Sequence, residues 1–597
     1  MSRNRMALTQ FVEMKKPSRW DEPFAREPLA DEQIDRLLTM EPFAHMDASR
    51  FPPNLPLSDI LRNDTRIVNC RRGDVVVRQG DYGNSVFLVL KGALVASLEP
   101  IAPSLLGRKR GQRRGWLGTA WQMLTKPRLR ESRDTAAYPQ FAKRAGAADS
   151  SGNTIAAQDF VNLLEEDPDV LGRYKTAPIE AGHMFGELGA LGRIPRTATV
   201  LADSDAQLLE IRWQGLRDLR RHDEALRDHV DRLYRRFGLL TQLRQTPCLS
   251  HLDESELAEV VEAAEFDTYG SFEWYGTYRQ LREESAAGRL QAEPMIAEQG
   301  HHPNGLILIR AGFARLSRQH GTGEQTLSYL TRGQAFGLGE LLHNHQQDAP
   351  RPYQCSLRAV GYTDIIRIPT HVLERLVFPR ADPGQLEAIA PSLATPARTP
   401  MEASVDPQWY PPPEPEQQIE PGVLDSLVEQ RLINGTATML IDMDRCTRCD
   451  QCVQACADGH SNNPRFLRHG TVIDHYMVAN ACMHCADPVC MIGCPTGAIH
   501  RDAETGNVEI NDRTCIGCST CANNCPYDNI RMVEIQDQQT QRPVVDPDTG
   551  QPIVKATKCD LCTDQMGGPA CQRACPHDAL VRMDMQDIPS LSQWMNR

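Results

Sequence analysis

The chain has 597 residues, 41% of them hydrophobic, with a formal net charge of −13 and a mean hydropathy of −0.45. With no apolar run long enough to cross a bilayer, these values exclude a helical membrane-spanning protein, and the length calls for several separately cored domains. The acidic balance weighs against nucleic acid as a partner, because phosphate backbones reward clustered Lys and Arg.

The opening segment, 1–60, includes FPPNLPLSDIL and reads as helices and turns packed beneath the domain that follows; no role is assigned to it. Its start, MSRNRMALTQ, has neither a signal peptide nor a twin-arginine pattern, so a cytoplasmic protein that is not transmembrane, with reduced thiols, is expected.

Residues 61–240 form the first domain. The stretch RIVNCRRGDVVVRQGDYGNSVFLVLKGALVASLEP, 66–100, alternates apolar residues across short runs, with Gly73, Gly80, Gly83 and Gly92 where hairpins must turn. That pattern predicts a small antiparallel barrel. After an interruption comes APIEAGHMFGELGALGRIPRTATVLADSDAQLLEIRW, 177–213. This segment resembles the phosphate-binding cassette of the cyclic nucleotide-binding domain family, as found in catabolite activator proteins and cyclic nucleotide-dependent kinases. The resemblance implies a jelly roll whose ligand-binding residues are Gly186, Glu187, Leu188, Arg196 and Thr197. Gly186 lets backbone approach a phosphate, Glu187 accepts the ribose 2'-hydroxyl, and the Arg196 fork meets the cyclic phosphate. A hydroxyl residue after that arginine often contacts guanine in the family, and Thr197 therefore gives cGMP equal standing with cAMP. The alternative is a retained jelly roll that binds nothing and serves only to dock.

The interruption, 101–176, is strongly basic in its first part. Between 108 and 133 stand nine Lys and Arg against one acidic residue, Glu131, with Trp116 and Trp121 interleaved. It reads as a mobile solvated loop or a docking arm for an acidic partner, in preference to a nucleic-acid or lipid-binding surface.

Residues 241–390 repeat the pattern as a degenerate second copy. CLSHLDESELAEVVEAAE is a helical lead-in, EPMIAEQGHHPNGLILIRAGFARLS repeats the strand-turn-strand run, and RGQAFGLGELLHNHQQDAPRPYQCSLRAVGYTDIIRIP mirrors the cassette. Glu340 survives, but Tyr353 falls where the first copy has Arg196. One barrel is expected to bind and the other to prop. The stretch 391–421 is a proline-rich linker that can neither continue a helix nor pair as a central strand.

Residues 422–597 hold sixteen of the nineteen cysteines, in four groups with one spacing grammar. These are Cys446-x2-Cys449-x2-Cys452-x3-Cys456, Cys482-x2-Cys485-x4-Cys490-x3-Cys494-Pro495, Cys515-x2-Cys518-x2-Cys521-x3-Cys525-Pro526 and Cys559-x2-Cys562-x8-Cys571-x3-Cys575-Pro576. A loop of three closely spaced thiolates wraps three corners of a cubane but is too tight to close the fourth. The cysteine three positions on leaves in the other direction and serves a neighbouring cluster, so clusters come in pairs. Four groups of four predict four [4Fe-4S] clusters with no thiol left over. Disulfides need an oxidising compartment. Structural zinc gives no reason for a third cysteine at x2 and a fourth before proline. The first group alone has Ala457 where the others have proline.

From 437 to about 585 the phrases IDMDRCTRCDQCVQAC, CMHCADPVCMIGCPTGAIH, INDRTCIGCSTCANNCPYDNI and KCDLCTDQMGGPACQRACPHDAL resemble the electron-transfer subunit family of the dimethyl sulfoxide reductase type. The resemblance extends to formate dehydrogenase and hydrogenase partner subunits. It implies that Cys446, Cys449 and Cys452 share a cluster with Cys575, and Cys559, Cys562 and Cys571 one with Cys456. The inner pair is Cys482, Cys485 and Cys490 with Cys525, and Cys515, Cys518 and Cys521 with Cys494.

Such subunits have no substrate pocket, so no catalytic residue is assigned, and His484 and His577 read as loop residues. A catalytic oxidoreductase subunit of flavin or molybdopterin type is the implied partner. From 441 onward, 13 Lys and Arg stand against 20 Asp and Glu, which favours basic partner faces. No strand-linked G-x-G-x-x-G is present. The expected chain is thus multidomain α+β, with two β-jelly-roll barrels, flanking helices and a C-terminal double bacterial-ferredoxin-like module. It carries electrons, with cyclic nucleotide as a regulator acting through the 391–421 linker. Barrels of this kind often pair, which raises a homodimer. The rival reading is a redox-sensing signalling protein that relays cluster state to the barrels.

Overall fold

The computed structural model describes residues 11–597 except 22–23, 26–27, 98–100, 102–130, 134, 136–137, 139–160, 164–173, 175, 187–194, 229–238, 240–242, 245, 272–273, 282–283, 285, 322, 348, 382–383, 385, 387–418, 462 and 566. Contacts divide the chain into two compact units. One comprises Met1–Arg235, Asp450–Leu467 and Cys490–Cys575, the other Arg236–Cys449, Arg468–Val489 and Pro576–Arg597. Each unit therefore joins one barrel to one part of the cysteine-rich region.

In the first unit, two four-stranded antiparallel sheets make the jelly roll. One orders Thr65–Cys70, Ala206–Arg212, Ser85–Lys91 and Met184–Phe185; the other orders Val75–Val77, Thr199–Ala202, Leu94–Ser97 and Thr176–Ile179. Alternation along Ser85–Lys91 splits its side chains between two cores. Val86 and Leu88 pack on Ile60, Leu61 and Leu216 from helices Leu57–Asp64 and Trp213–His222. Phe87 and Val89 face the barrel interior with Phe185, Val200 and Leu208. The Phe87 and Phe185 rings stack 5.1 Å apart.

The same unit threads two N-terminal pieces onto the cysteine-rich chain. Val12–Glu13 runs parallel to Val544–Val545, and Ser132–Arg133, from the basic insertion, runs parallel to Gln536–Asp537. Arg133 Nε donates to Asp512 Oδ1 at 3.0 Å, Tyr138 donates to the other Asp512 oxygen, and Thr135 donates to Asp537 at 2.5 Å. The buried Glu131 carboxylate bridges Arg133 and Arg465. The docking-arm reading thus has an acidic surface within the same chain, at least for these residues; the basic run 102–130 lies outside the described residues.

In the second unit the barrel is a six-stranded sheet. Its path runs Glu265–Gly270, Ser356–Pro369, Gly305–His320 and Gly323–Leu330, with Met295–Ala297 and Ala335–Phe336 pairing off it. The sixteen-residue strand Gly305–His320 bends where its register with Ser356–Pro369 shifts, between Ile309 and Ala311 and again between Gly312 and Ala314. Another four-stranded sheet orders Leu467–Ile473, Tyr476–Asn480, Thr438–Asp442 and Leu580–Met583. The barrel holds the cysteine-rich part through Trp274 Nε1 to Asp487 at 2.8 Å, Tyr278 to Gln430 O at 2.9 Å and Tyr329 to Met585 O.

The junction between barrel and closing helix in the first unit rests on a fully buried carboxylate. Asp64 accepts from Arg19 and from Arg212, each at 2.7 Å, and Arg19 also reaches Asp218 at 2.8 Å. Asp64→Ala takes the carboxylate from the buried Arg212 guanidinium and leaves Arg19 only Asp218, and a loss of about 3–5 kcal/mol in unfolding free energy is expected by denaturant titration. A loss below about 1 kcal/mol, the range of an exposed pair, contradicts that assignment.

Candidate iron-sulfur and nucleotide sites

All four cysteine groups share a backbone signature. The residue before the second cysteine is left-handed in each: Arg448 (φ 62°), His484 (φ 50°), Gly517 (φ 68°) and Leu561 (φ 57°). Three of these bear side chains, which disfavour that region, so the surrounding structure dictates the conformation. Asp450 and Ser519, after the second cysteine, are left-handed as well. Backbone of this kind turns successive N–H groups inward and makes a cradle for an anionic group. At Gly517 a side chain is excluded outright, because a Cβ there would lie 2.1 Å from Val554 O.

One of the four-cysteine sets implied by the family resemblance lies wholly in the first unit and encloses a hollow. Cys494, Cys515, Cys518 and Cys521 line about 330 Å³ of open space, walled by Thr496, Ala498, Ile499, Ile510, Met532 and Ala556 among others. Cys494, Cys515 and Cys521 are buried, whereas Cys518 is exposed. Burial, then the neighbouring Cys494, Cys515 and Cys518, push the Cys521 thiol up to about 12. Four thiol donors crowded in a largely apolar hollow repel once ionised and need a cationic core between them, so the donor set fits an iron-sulfur cluster. Beneath them the Lys555 ammonium, itself buried, donates to Cys515 O at 2.5 Å and Asp512 O at 2.8 Å and stands 4.6 Å from the Tyr138 ring.

A second set, Cys456, Cys559, Cys562 and Cys571, is also confined to this unit. Helix Gln451–Gly459, bearing Cys456, packs against helix Ala570–Arg573, bearing Cys571. Cys456 Sγ accepts the Arg465 N–H at 3.2 Å, and Cys559 Sγ the Leu561 N–H at 3.5 Å. His460 Nδ1 lies 2.6 Å from Cys456 O and 3.7 Å from its sulfur, while Nε2 lies 3.0 Å from Asp560. Burial opposes a charge on this imidazole, but hydrogen bonds to Asp560, Cys456 and Cys562 outweigh it and raise its pKa. Cys446, Cys449, Cys482 and Cys485 belong to the second unit. There Thr436 and Ala437 both donate N–H to Met483 O, and Thr436 Oγ1 donates to His484 O, which holds that loop. His484 is fully buried and His577 exposed.

At the nucleotide cassette, Gly186 and Arg196 come together. Gly186 is left-handed (φ 86°), and the buried Arg196 donates to Gly186 O and, at 2.7 Å, to Ser85 O. Gly83 also makes room for this arginine, since a Cβ there would lie 2.1 Å from the guanidinium carbon. Thr197 is half-buried; Glu187 and Leu188 lie outside the described residues.

The second barrel repeats the arrangement with a different side chain. Gly337 (φ 93°) matches Gly186, and the atom nearest a Cβ on it is Tyr353 Cε1 at 3.0 Å. Tyr353 is buried, lies 4.9 Å from the Phe336 ring and reaches Gly305 O at 3.4 Å. An uncharged ring therefore stands where the first barrel places a guanidinium. Glu340 is buried in the same place and accepts the Gln354 N–H at 3.2 Å, and burial raises its pKa.

Sequence reasoning missed Gly83, Ser85, Lys555 and the His460–Asp560 pair. Gly83 was visible as a turn glycine, but the arginine it accommodates is far along the chain. Lys555 had no signal, because nothing in its neighbours foretells burial.

A family model for 4Fe-4S dicluster domains matches residues 473–585, and one for cyclic nucleotide-binding domains matches residues 288–379, the second barrel. The chain is 34% identical over 169 residues to the electron transport protein HydN of Escherichia coli, covering 26% of this chain and 91% of HydN. It is 35% identical over 161 residues to the B subunit of the anaerobic dimethyl sulfoxide reductase of Haemophilus influenzae, covering 23% of this chain and 69% of that subunit. The cAMP-bound regulatory domain of Toxoplasma gondii PKA aligns with 59% of this chain and 94% of its own, at 14% identity and a TM-score of 0.19, too low to carry a structural argument. Among the described residues no helix is long and apolar enough to cross a membrane. The protein therefore belongs to the 4Fe-4S dicluster family of electron-transport proteins that includes HydN and the dimethyl sulfoxide reductase B subunit, here fused to cyclic nucleotide-binding-type jelly rolls.

Proposed function

We propose that this protein is a cytoplasmic electron-transfer subunit that holds four [4Fe-4S] clusters and exchanges electrons with a catalytic oxidoreductase of flavin or molybdopterin type. A [4Fe-4S] cluster supplies one-electron exchange at nearly constant geometry. The chain supplies the rest. Cys446, Cys449 and Cys452 with Cys575, and Cys559, Cys562 and Cys571 with Cys456, would hold one pair of clusters. Cys482, Cys485 and Cys490 with Cys525, and Cys515, Cys518 and Cys521 with Cys494, would hold the other. The observation that carries the reading is the hollow lined by Cys494, Cys515, Cys518 and Cys521, four cysteines from two sequence groups facing one space. The shared left-handed residue ahead of each second cysteine extends it to all four loops.

Around that hollow Ile499, Ile510 and Ala556 exclude water, and the exposed Cys518 leaves one edge open to a partner. The first barrel is the nucleotide-binding copy, with Gly186 and Arg196 receiving the phosphate of cAMP or cGMP, and Glu187, Leu188 and Thr197 completing the cassette. The second barrel, plugged by Tyr353, is a docking element. Pairing of barrels would make the protein a homodimer.

Electron transfer is tested by mixing dithionite-reduced protein with an oxidised flavin or molybdopterin partner in an anaerobic stopped flow. Concerted bleaching of the partner supports the reading, and electrons retained on the protein with every such partner refute it. Gly517→Ala is expected to lower iron by about four per chain while leaving the other clusters in place; unchanged iron contradicts the assigned role of the left-handed turn. Gly83→Val, which drives a side chain into the Arg196 guanidinium, is expected to cost at least about tenfold in cyclic nucleotide affinity by calorimetry, as loss of a charged hydrogen-bond partner does. Wild-type affinity in that variant places the ligand elsewhere.

A further inference from the structure

The loop that embraces Arg196 also holds a wall of the cluster hollow. Arg196 N donates to Asp81 O at 2.7 Å, Gly80 N donates to Arg196 O at 2.8 Å, and the guanidinium donates to Ser85 O, so residues 80–85 follow that arginine closely. From the same loop, Tyr82 N donates to Ala503 O at 2.8 Å and Asn84 Nδ2 to Arg501 O at 3.0 Å. The Tyr82 ring lies 4.8 Å from the Arg501 guanidinium and fills the space a side chain on Gly506 would need. Residues 501–506 are the end of the hairpin that pairs Ile499–Arg501 with Val508–Ile510. Its Ile499 and Ile510 face Cys494, Cys515, Cys518 and Cys521 across the hollow.

A second tie runs from the barrel's closing helix. Arg212, just before helix Trp213–His222, donates to Thr496 O at 3.1 Å, and Arg217 donates to Ile492 O. These contacts grip the turn that carries Cys494.

We propose that ligand binding at Arg196 and electron uptake at the Cys494, Cys515, Cys518 and Cys521 set are thermodynamically coupled through the 80–85 loop and the 499–510 hairpin. The proposal rests on the reading that the first barrel binds a cyclic nucleotide. A phosphate at Arg196 competes with Gly186 O and Ser85 O for the guanidinium, and the loop that supplies Ser85 O cannot shift without moving Tyr82 and Asn84. Rearranging the hairpin alters the apolar wall and the water exposure of the thiolates, which are levers on cluster potential. Linkage is reciprocal: nucleotide shifts the potential by the amount that reduction shifts nucleotide affinity.

The test uses full-length, anaerobically purified protein with its iron in place. cAMP and cGMP are titrated by calorimetry against oxidised and dithionite-reduced samples, potentials are followed by EPR with and without nucleotide, and hydrogen exchange is mapped over 498–510. The expected result is an affinity differing by about tenfold between redox states, which corresponds to about 59 mV in a one-electron centre, with altered exchange in the hairpin. Tyr82→Ala with Asn84→Ala removes the Tyr82 ring and the Asn84 amide from the hairpin and leaves only the Tyr82 N–Ala503 O bond, so nucleotide binding should persist while the redox difference falls below about threefold. Equal affinity in both redox states with unchanged potentials overturns the coupling and leaves the nucleotide site standing. No binding in either state removes both.

Discussion

A loop that grips three corners of a cube leaves the fourth to a cysteine from elsewhere in the chain, and that requirement organises the cysteine-rich region. In the first unit Cys494, on a turn held by Thr496, lines one hollow with Cys515, Cys518 and Cys521 of the next group. Bringing the two together leaves a hollow that must be walled, and the walls come from strands scattered over 498–556. Those strands are two-stranded and short, and such pieces are marginal in isolation. Docking against the barrel, the N-terminal strand and the clamp of Glu131, Arg133, Thr135 and Tyr138 supplies the burial that the hairpins lack.

The two barrels show how one backbone device yields different chemistry. Gly186 and Gly337 are both left-handed at the same place in the fold, and each has a long side chain lying over it. In the first barrel that side chain is a guanidinium held by two carbonyl oxygens, those of Gly186 and Ser85. In the second it is the Tyr353 ring, packed on Phe336, and removing it would open a cavity in a close-packed core. Glu340, buried beside it, accepts the Gln354 N–H.

Cysteine spacing revealed the metal chemistry because ligand geometry is local: a C-x-x-C-x-x-C loop needs nothing beyond itself to hold three corners. Short apolar runs punctuated by Gly73, Gly80, Gly83 and Gly92 revealed the first barrel for the same reason. What remained illegible is long-range. Arg133 meets Asp512, Asn84 meets Arg501 and Arg212 meets Thr496, each across hundreds of residues, and no local pattern distinguishes a basic residue that docks from one that faces water. The insertion read as a solvated loop or a docking arm for an acidic partner, and its described end meets Asp512 and Asp537 of the same chain. The left-handed residues Arg448, His484 and Leu561 were equally hidden, since none is the glycine that usually marks such backbone.

The most direct measurement is iron and acid-labile sulfide per chain in anaerobically purified protein, followed by low-temperature EPR during graded reduction. About sixteen of each, with interacting S = 1/2 signals developing at several potentials, is the predicted result for four cubanes. About four iron atoms with a single oxygen-labile signal, or zinc in place of iron, would contradict a four-cluster electron path.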